Sequence, residues 1–127
     1  MERYSEAAYF VLRLVAGVLF MCHGIQKVFG GLGGHKVTEG LLLLGGWIEL
    51  VGGALVALGL FALPAALIAS GEMAVAYFKA HAAQSFWPIE NKGELAVLYC
   101  FLFLFIALRG AGPFSLDAMI RGRRRGA

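Results

Sequence analysis

The chain has 127 residues, the length of a single domain. Hydrophobic residues make up 60% and charged residues 15%, with a mean hydropathy of +0.77. A soluble chain this short has no core large enough to hide that much apolar surface, so lipid is expected to cover part of it. The formal charge is +3, and four arginines stand in the last seven residues without an aromatic-basic surface. That argues against a nucleic-acid arm and for a cytoplasmic anchor beside hydrophobic spans.

A helix needs about 20 mostly apolar residues to cross the hydrocarbon core. Four such spans are predicted, at approximately 8–28, 41–61, 64–83 and 92–109, with a basic tail over 110–127. The expected fold is all-α: one integral membrane four-helix bundle. No cleavage site for a signal peptide follows the first span, which is of full spanning length. Gly30, Gly31, Gly33 and Gly34 open a flexible first connection that carries His35, Lys36 and Glu39. The second connection is almost absent, so spans two and three form a tight helical hairpin, with Pro64 in the first turn of span three. The third holds Ser85 to Asn91, and Trp87 there is an interface anchor by type. Gly110 to Pro113 end span four, and Phe114 to Ile120 are expected along the membrane surface. Arg3, Arg13, Arg109, Arg121, Arg123, Arg124 and Arg125 all belong to the end that holds both termini. The positive-inside rule then places both termini in the cytoplasm of a bacterial inner membrane.

Small residues share helix faces with charged ones. Span two has Gly45, Glu49, Gly52, Gly53 and Ala57 at helical spacing, and span three has Ala65, Ala69, Glu72, Ala76 and Lys79. Span one groups Ala16, Phe20, His23, Gly24 and Lys27. Small residues let membrane helices approach closely, so the charges on these stripes are expected to face the bundle interior. His23, Lys27, Glu49, Glu72 and Glu94 form the candidate polar or ligand site, in the outer half of the bundle. Lys79, His81, Trp87 and Asn91 are secondary candidates. An ionised carboxylate at mid-bilayer costs ~2.5–3.5 kcal/mol. Glu49 and Glu72 therefore need cations or protons, with Lys27, Lys79, His23 and His81 as candidate partners.

Each residue also has a plainer role open to it. Asn91 and Glu94 have the spacing of a capping box at the start of span four. Lys27, Lys79 and His81 have stems long enough to reach the interface, and Arg13 reads as an anchor of that type. Phe101, Phe103 and Phe105 read as lipid-facing or packing residues. Cys22 and Cys100 lie at similar depth, as two buried thiols or as a redox pair if spans one and four are neighbours. Neither cysteine has a metal-ligand spacing, and no haem, flavin or iron–sulfur signature is present, so no metal is expected.

Four segments carry a family likeness. His23-Gly24-Ile25-Gln26-Lys27-Val28-Phe29-Gly30 resembles the H-G-x-x-K-x-F-G signature of the DoxX family. Ile48-Glu49-Leu50-Val51-Gly52-Gly53 resembles its E-x-x-G-G motif, and Trp87-Pro88-Ile89-Glu90-Asn91-Lys92-Gly93-Glu94-Leu95-Ala96 its F/W-P-x-x-N-G-G-E-L-A motif. Ser115-Leu116-Asp117 is similar to the family's common ending. The segment from Gly31 to Gly45 is shorter than usual, and Lys92 stands where glycine is common.

The resemblance implies four spans and an association with redox or sulfur-transfer enzymes. His23, Lys27, Glu49 and Glu94 fall on its motif positions. Glu72 is singled out by its depth, with a weaker likeness over Ser70 to Ala74. The function so implied is that of a redox-associated membrane subunit linked to quinone or sulfur metabolism. A quinone would be its ligand, and a soluble or membrane oxidoreductase its partner. The alternative is a non-enzymatic membrane scaffold or small-molecule carrier. Either leaves room for a homo-oligomer.

Overall fold

The structure, a computed structural model, describes residues 1–82 and 84–126, with side chains through Gly122. The expected end of span three at Ala83, the last residue Ala127, and the side chains of Arg123, Arg124 and Arg125 lie outside the described residues. The described residues are helices and short connections, with no strand among them.

Helix α1 runs Glu2–Phe29, six residues before the expected start of the first span. No proline interrupts it, and it stops where Gly30 takes φ 74°, a left-handed conformation that costs a residue without Cβ little. Helix α2, Leu41–Leu58, ends in the same way at Gly59, with φ 70°. The expected continuation to Phe61 is instead the turn into α3, Ala62–Ala76, with Pro64 in the first helical turn as anticipated. A five-residue π-helical turn, Tyr77–His81, prolongs α3. A four-residue helix α4, Pro88–Asn91, precedes α5, Glu94–Arg109, and α6 spans Leu116–Gly126. Of these, α1 and α2 are long and apolar enough to cross a membrane.

Glycines set how α1 meets α2. A Cβ on Gly17 would stand 2.5 Å from the Ala57 nitrogen, and one on Gly53 would stand 2.6 Å from the Gly17 oxygen. One on Gly24 would overlap the backbone of Leu50. Contact here is backbone to backbone along the whole antiparallel pair. Helix α3 packs on α5, with Ala66, Ala69 and Met73 of the first and Tyr99, Phe103 and Ile106 of the second in one buried cluster. An aromatic layer joins the two pairs: the Phe20 ring lies 4.7 Å from Phe103 and 5.3 Å from Tyr99, between centroids. Of the three phenylalanines of span four, Phe103 is fully buried while Phe101 and Phe105 are exposed.

The pairs are tied together at the end that holds the termini. Arg13, expected to reach outward to the interface, is 1% exposed. Its Nε donates to the Val56 carbonyl at 2.9 Å, and Nη2 to those of Phe114 at 3.0 Å and Ala57 at 3.3 Å. Nη1 donates to the Ala111 carbonyl. The inward turn of this side chain has a local cause. Past the end of α2 the Val56 and Ala57 carbonyls lack their i+4 amides, Val56 accepting only from the Gly59 amide of the turn besides Arg13, and a cation at a helix C-terminus meets the negative end of its dipole. Asp117 completes the knot. Its carboxylate accepts hydrogen bonds from the Phe61 and Ala62 amides at 2.9 and 3.0 Å, capping α3 from 55 positions away. The α2–α3 turn bends tightly enough to force Phe61 to φ 49°, and this cap holds it there.

Away from that turn, α2 and α3 diverge and leave a cavity between the two helix pairs.

Candidate functional site

The site begins with the close approach of α1 and α2. Gly46 has no side chain where the stem of Lys27 passes, since a Cβ there would meet Lys27 Cβ at 2.9 Å. Lys27 Nζ therefore reaches Glu49 Oε2 at 2.7 Å. Glu49 is 1% exposed and Lys27 is 30% exposed at the side chain, so the pair is anchored from its carboxylate side. Its second oxygen, Oε1, is buried with no hydrogen-bond donor, and so is Oε2 of Glu72 on α3.

Glycine again makes the room. A Cβ at Gly45 would lie 2.8 Å from Glu72 Oε1 and 3.7 Å from Glu49 Oε2. The two carboxyl groups flank this bare stretch of α2, each bordering the space that a side chain at Gly45 would fill.

Lys27, Glu49 and Glu72 form the polar floor of a cavity of about 1080 Å³. Its walls are apolar, from Phe20, Tyr99, Ile48, Ile68 and Leu95 among others. His23 lines it too, with its ring edge-on to Tyr99 at 6.1 Å. Large exposed apolar side chains, Leu41, Leu42, Leu44, Ile68 and Val75, flank the opening between α2 and α3. Lys79, His81 and Lys92 line the end nearest the loops. The π-helical turn carries Lys79 and His81 there, and such turns recur at functional sites. The His81 Nδ1 lies 3.1 Å from the Asn91 carbonyl, which fixes the ring.

Of the five principal candidates, the structure gathers His23, Lys27, Glu49 and Glu72 around one cavity and leaves Glu94 outside it. Glu94 is exposed in the first turn of α5, where a negative charge favours the helix dipole. The capping box is not formed. Lys92, with φ 62°, separates Asn91 from α5, whose N-cap is Gly93. Asn91 is instead fully buried. Its amide donates to Tyr77 Oη at 3.0 Å and the Ser85 carbonyl at 2.9 Å, and accepts from the Gly93 amide at 2.8 Å. Trp87 is exposed, edge-on to Phe86.

Cys22 and Cys100 are both free thiols. Cys100 Sγ lies 3.6 Å from Ser70 Oγ, while Cys22 lines a separate pocket of about 240 Å³ that His23 and Tyr99 divide from the main cavity. Sequence reading missed Tyr99 as a cavity wall and Gly45 as the space for the carboxyl pair. Tyr99 in an apolar run gives no such signal, while Phe20 and Gly45 did stand on the stripes of His23 and Glu49.

Residues 8–82 match the family described as DoxX. This chain belongs to the DoxX family. The match contains His23 to Gly30, Ile48 to Gly53, and Glu72. A protein of Haemophilus influenzae (strain ATCC 51907 / DSM 11121 / KW20 / Rd), described as "Uncharacterized protein", is similar to this DoxX-family chain. It is 43% identical over 127 aligned positions, which cover 92% of this chain and 93% of the relative. No solved structure matches the chain. The segment from Trp87 to Ala96 and the Ser115-Leu116-Asp117 ending lie beyond the matched residues. The structure gives the second a structural role at the α2–α3 turn.

Proposed function

We propose that this DoxX-family chain is a four-span inner-membrane protein that holds a lipophilic, quinone-class molecule in the cavity between its helix pairs. It acts as the membrane subunit of a redox system. The spans are α1, α2, α3 with its π-helical turn, and α5. At ~1.5 Å per residue, the 15 residues of α3 and the five of the turn reach about 30 Å, the thickness of the hydrocarbon core. Lipid exposure is supported by the inversion of polarity. Arg13, Glu49 and Asn91 are buried while leucines and phenylalanines cover the outside, and only 33% and 39% of the most apolar stretches of α1 and α2 are buried within the chain. The arginines near the termini support a cytoplasmic position for that end, with the first loop and the π-helical turn outside.

The single observation that carries the ligand reading is the cavity itself. It has apolar walls, a mouth flanked by exposed apolar side chains, and one polar floor. A molecule with a long apolar tail reaches such a site from within the bilayer. A carbonyl of its head group fits beside Lys27 and His23, and Glu49 and Glu72 are placed to exchange protons with it. Electrons come from a partner oxidoreductase, as the family resemblance suggests. The same cavity serves the alternative, a carrier or scaffold, if the molecule it holds has no redox chemistry.

Solvent extraction of the purified protein, followed by mass spectrometry, separates the two. Wild type is expected to retain a prenylated quinone, and the Glu49→Gln, Glu72→Gln double variant to retain at least tenfold less per folded protein. Melting curves in detergent establish the folded fraction. Lys27 is partly solvated, so loss of its partner is expected to cost about 1–3 kcal/mol, less than the ~3–5 of a fully buried pair. A folded wild type carrying a redox-inert lipophile supports the carrier. A folded wild type carrying none, and gaining none from added quinone, removes the ligand reading.

A further inference from the structure

The polar floor contains two carboxyl groups and one lysine. Glu49 Oε2 is engaged by Lys27, but Glu49 Oε1 and Glu72 Oε2 are buried and have no donor. Two bare carboxylates side by side there would repel one another, and each buried orphan oxygen would carry the cost of its lost hydration. One proton held by the two groups removes the repulsion and gives them the donor they lack.

We propose that Glu49 and Glu72 share one proton, forming with Lys27 a charge-neutral triad, and that this is the proton exchanged with the molecule in the cavity. The first half stands on the two donor-less oxygens and on the placing of both carboxyl groups beside Gly45; the second rests on the ligand reading above. When the proton leaves for an acceptor atom of the ligand, two carboxylates remain beside one lysine. That imbalance draws a proton back. The other titratable groups facing the cavity are His23 of α1, Lys79 and His81 of the π-helical turn, Tyr99 of α5, Glu39 of the first loop, and Lys92. His81 and Lys79, at the loop end, mark the side from which the proton returns. Gly45 belongs to the device as well. Its missing side chain is the space in which the two carboxyl groups meet, and no change of charge is needed to close it.

Infrared difference spectroscopy on the full chain in nanodiscs tests the pair without any ligand. Protonated carboxyl groups absorb apart from carboxylates. Subtraction of Glu72→Gln from wild type at neutral pH is expected to leave one protonated-carboxyl band that shifts in deuterated water. Gly45→Ala, which keeps every ionisable group, is expected to move that band to higher frequency as the pair is pushed apart. Spectra of wild type, Glu72→Gln and Gly45→Ala that superimpose in this region overturn the shared proton.

A second measurement adds decyl-ubiquinone and a chemical reductant. A change in the band supports the exchange. Binding of the quinone with the band unchanged through reduction overturns the exchange and keeps the pair. Failure of the quinone to bind while the band is present overturns the quinone reading, and with it the exchange, and leaves the pair standing.

Discussion

Three buried polar residues have three different settlements with the interior. Arg13 spends its donors on backbone carbonyls, Glu49 is matched by Lys27, and Asn91 organises a loop. The first is structural. Replacement of Arg13 by methionine keeps the bulk and leaves the carbonyls of Ala57, Ala111 and Phe114 without the donor Arg13 supplies, while that of Val56 keeps only the Gly59 amide, at ~1–3 kcal/mol per orphaned group. Arg13→Met is expected to lower stability in detergent by about 3 kcal/mol or more. Glu94→Gln, on an exposed first turn, is expected to change it by less than about 1 kcal/mol. Thermal melts of the two variants beside wild type check this. An Arg13→Met protein as stable as Glu94→Gln would mean that the arginine escapes to the interface after all. Sequence depth put Arg13 toward the end that holds the termini, where the structure has it beside Ala111 and Phe114, but did not give its direction. Arginine can reach outward as easily as inward, and only the unpaired carbonyls at the end of α2 decide between them.

At the scale of the helix, the α1–α2 pair owes its closeness to Gly17, Gly24, Gly46 and Gly53. A large side chain at Gly53 would have to displace backbone rather than a flexible side chain. Gly53→Leu is therefore expected to separate the helices, weaken the Lys27–Glu49 contact and cost at least the 1–3 kcal/mol typical of overpacking. Gly71→Leu is the control, because nothing lies within 4 Å of a Cβ there. Size-exclusion profiles and melting temperatures of the two variants should part, with the second close to wild type. The stripe of small residues in span two was legible in the sequence at 3.6-residue spacing. Its partner Gly17 was not, because a glycine in an apolar run looks the same whether it faces lipid or a neighbouring helix. The ends of helices behaved likewise. Pro64 marked the start of α3 to within two residues, whereas Asn91 and Glu94 offered a capping pattern that a left-handed Lys92 interrupts.

Across the whole molecule, the proposed topology puts the loop from Gly30 to Gly40 outside the cell and the Arg13–Asp117 knot at the cytoplasmic side. In a Cys22→Ala, Cys100→Ala background, a cysteine at His35 is expected to react with a membrane-impermeant maleimide in intact cells, and one at Arg3 only after the membrane is opened. The reverse pattern would invert the orientation and put the loop end of the cavity toward the cytoplasm. By itself the sequence determined that the chain is helical, too apolar to bury its own surface, and marked by charges on the same faces as its small residues. These are properties of composition and period, which every residue reports locally. Only the tertiary structure decided that Lys27 meets Glu49 and that Glu72 faces the same point across Gly45. It also decided that Glu94 stands apart and that Asp117 caps a helix 55 positions earlier. Those facts depend on which helix faces which and on how far two helices diverge from a shared turn. Distances between helices follow from packing at glycines far from the site, and no single segment contains them.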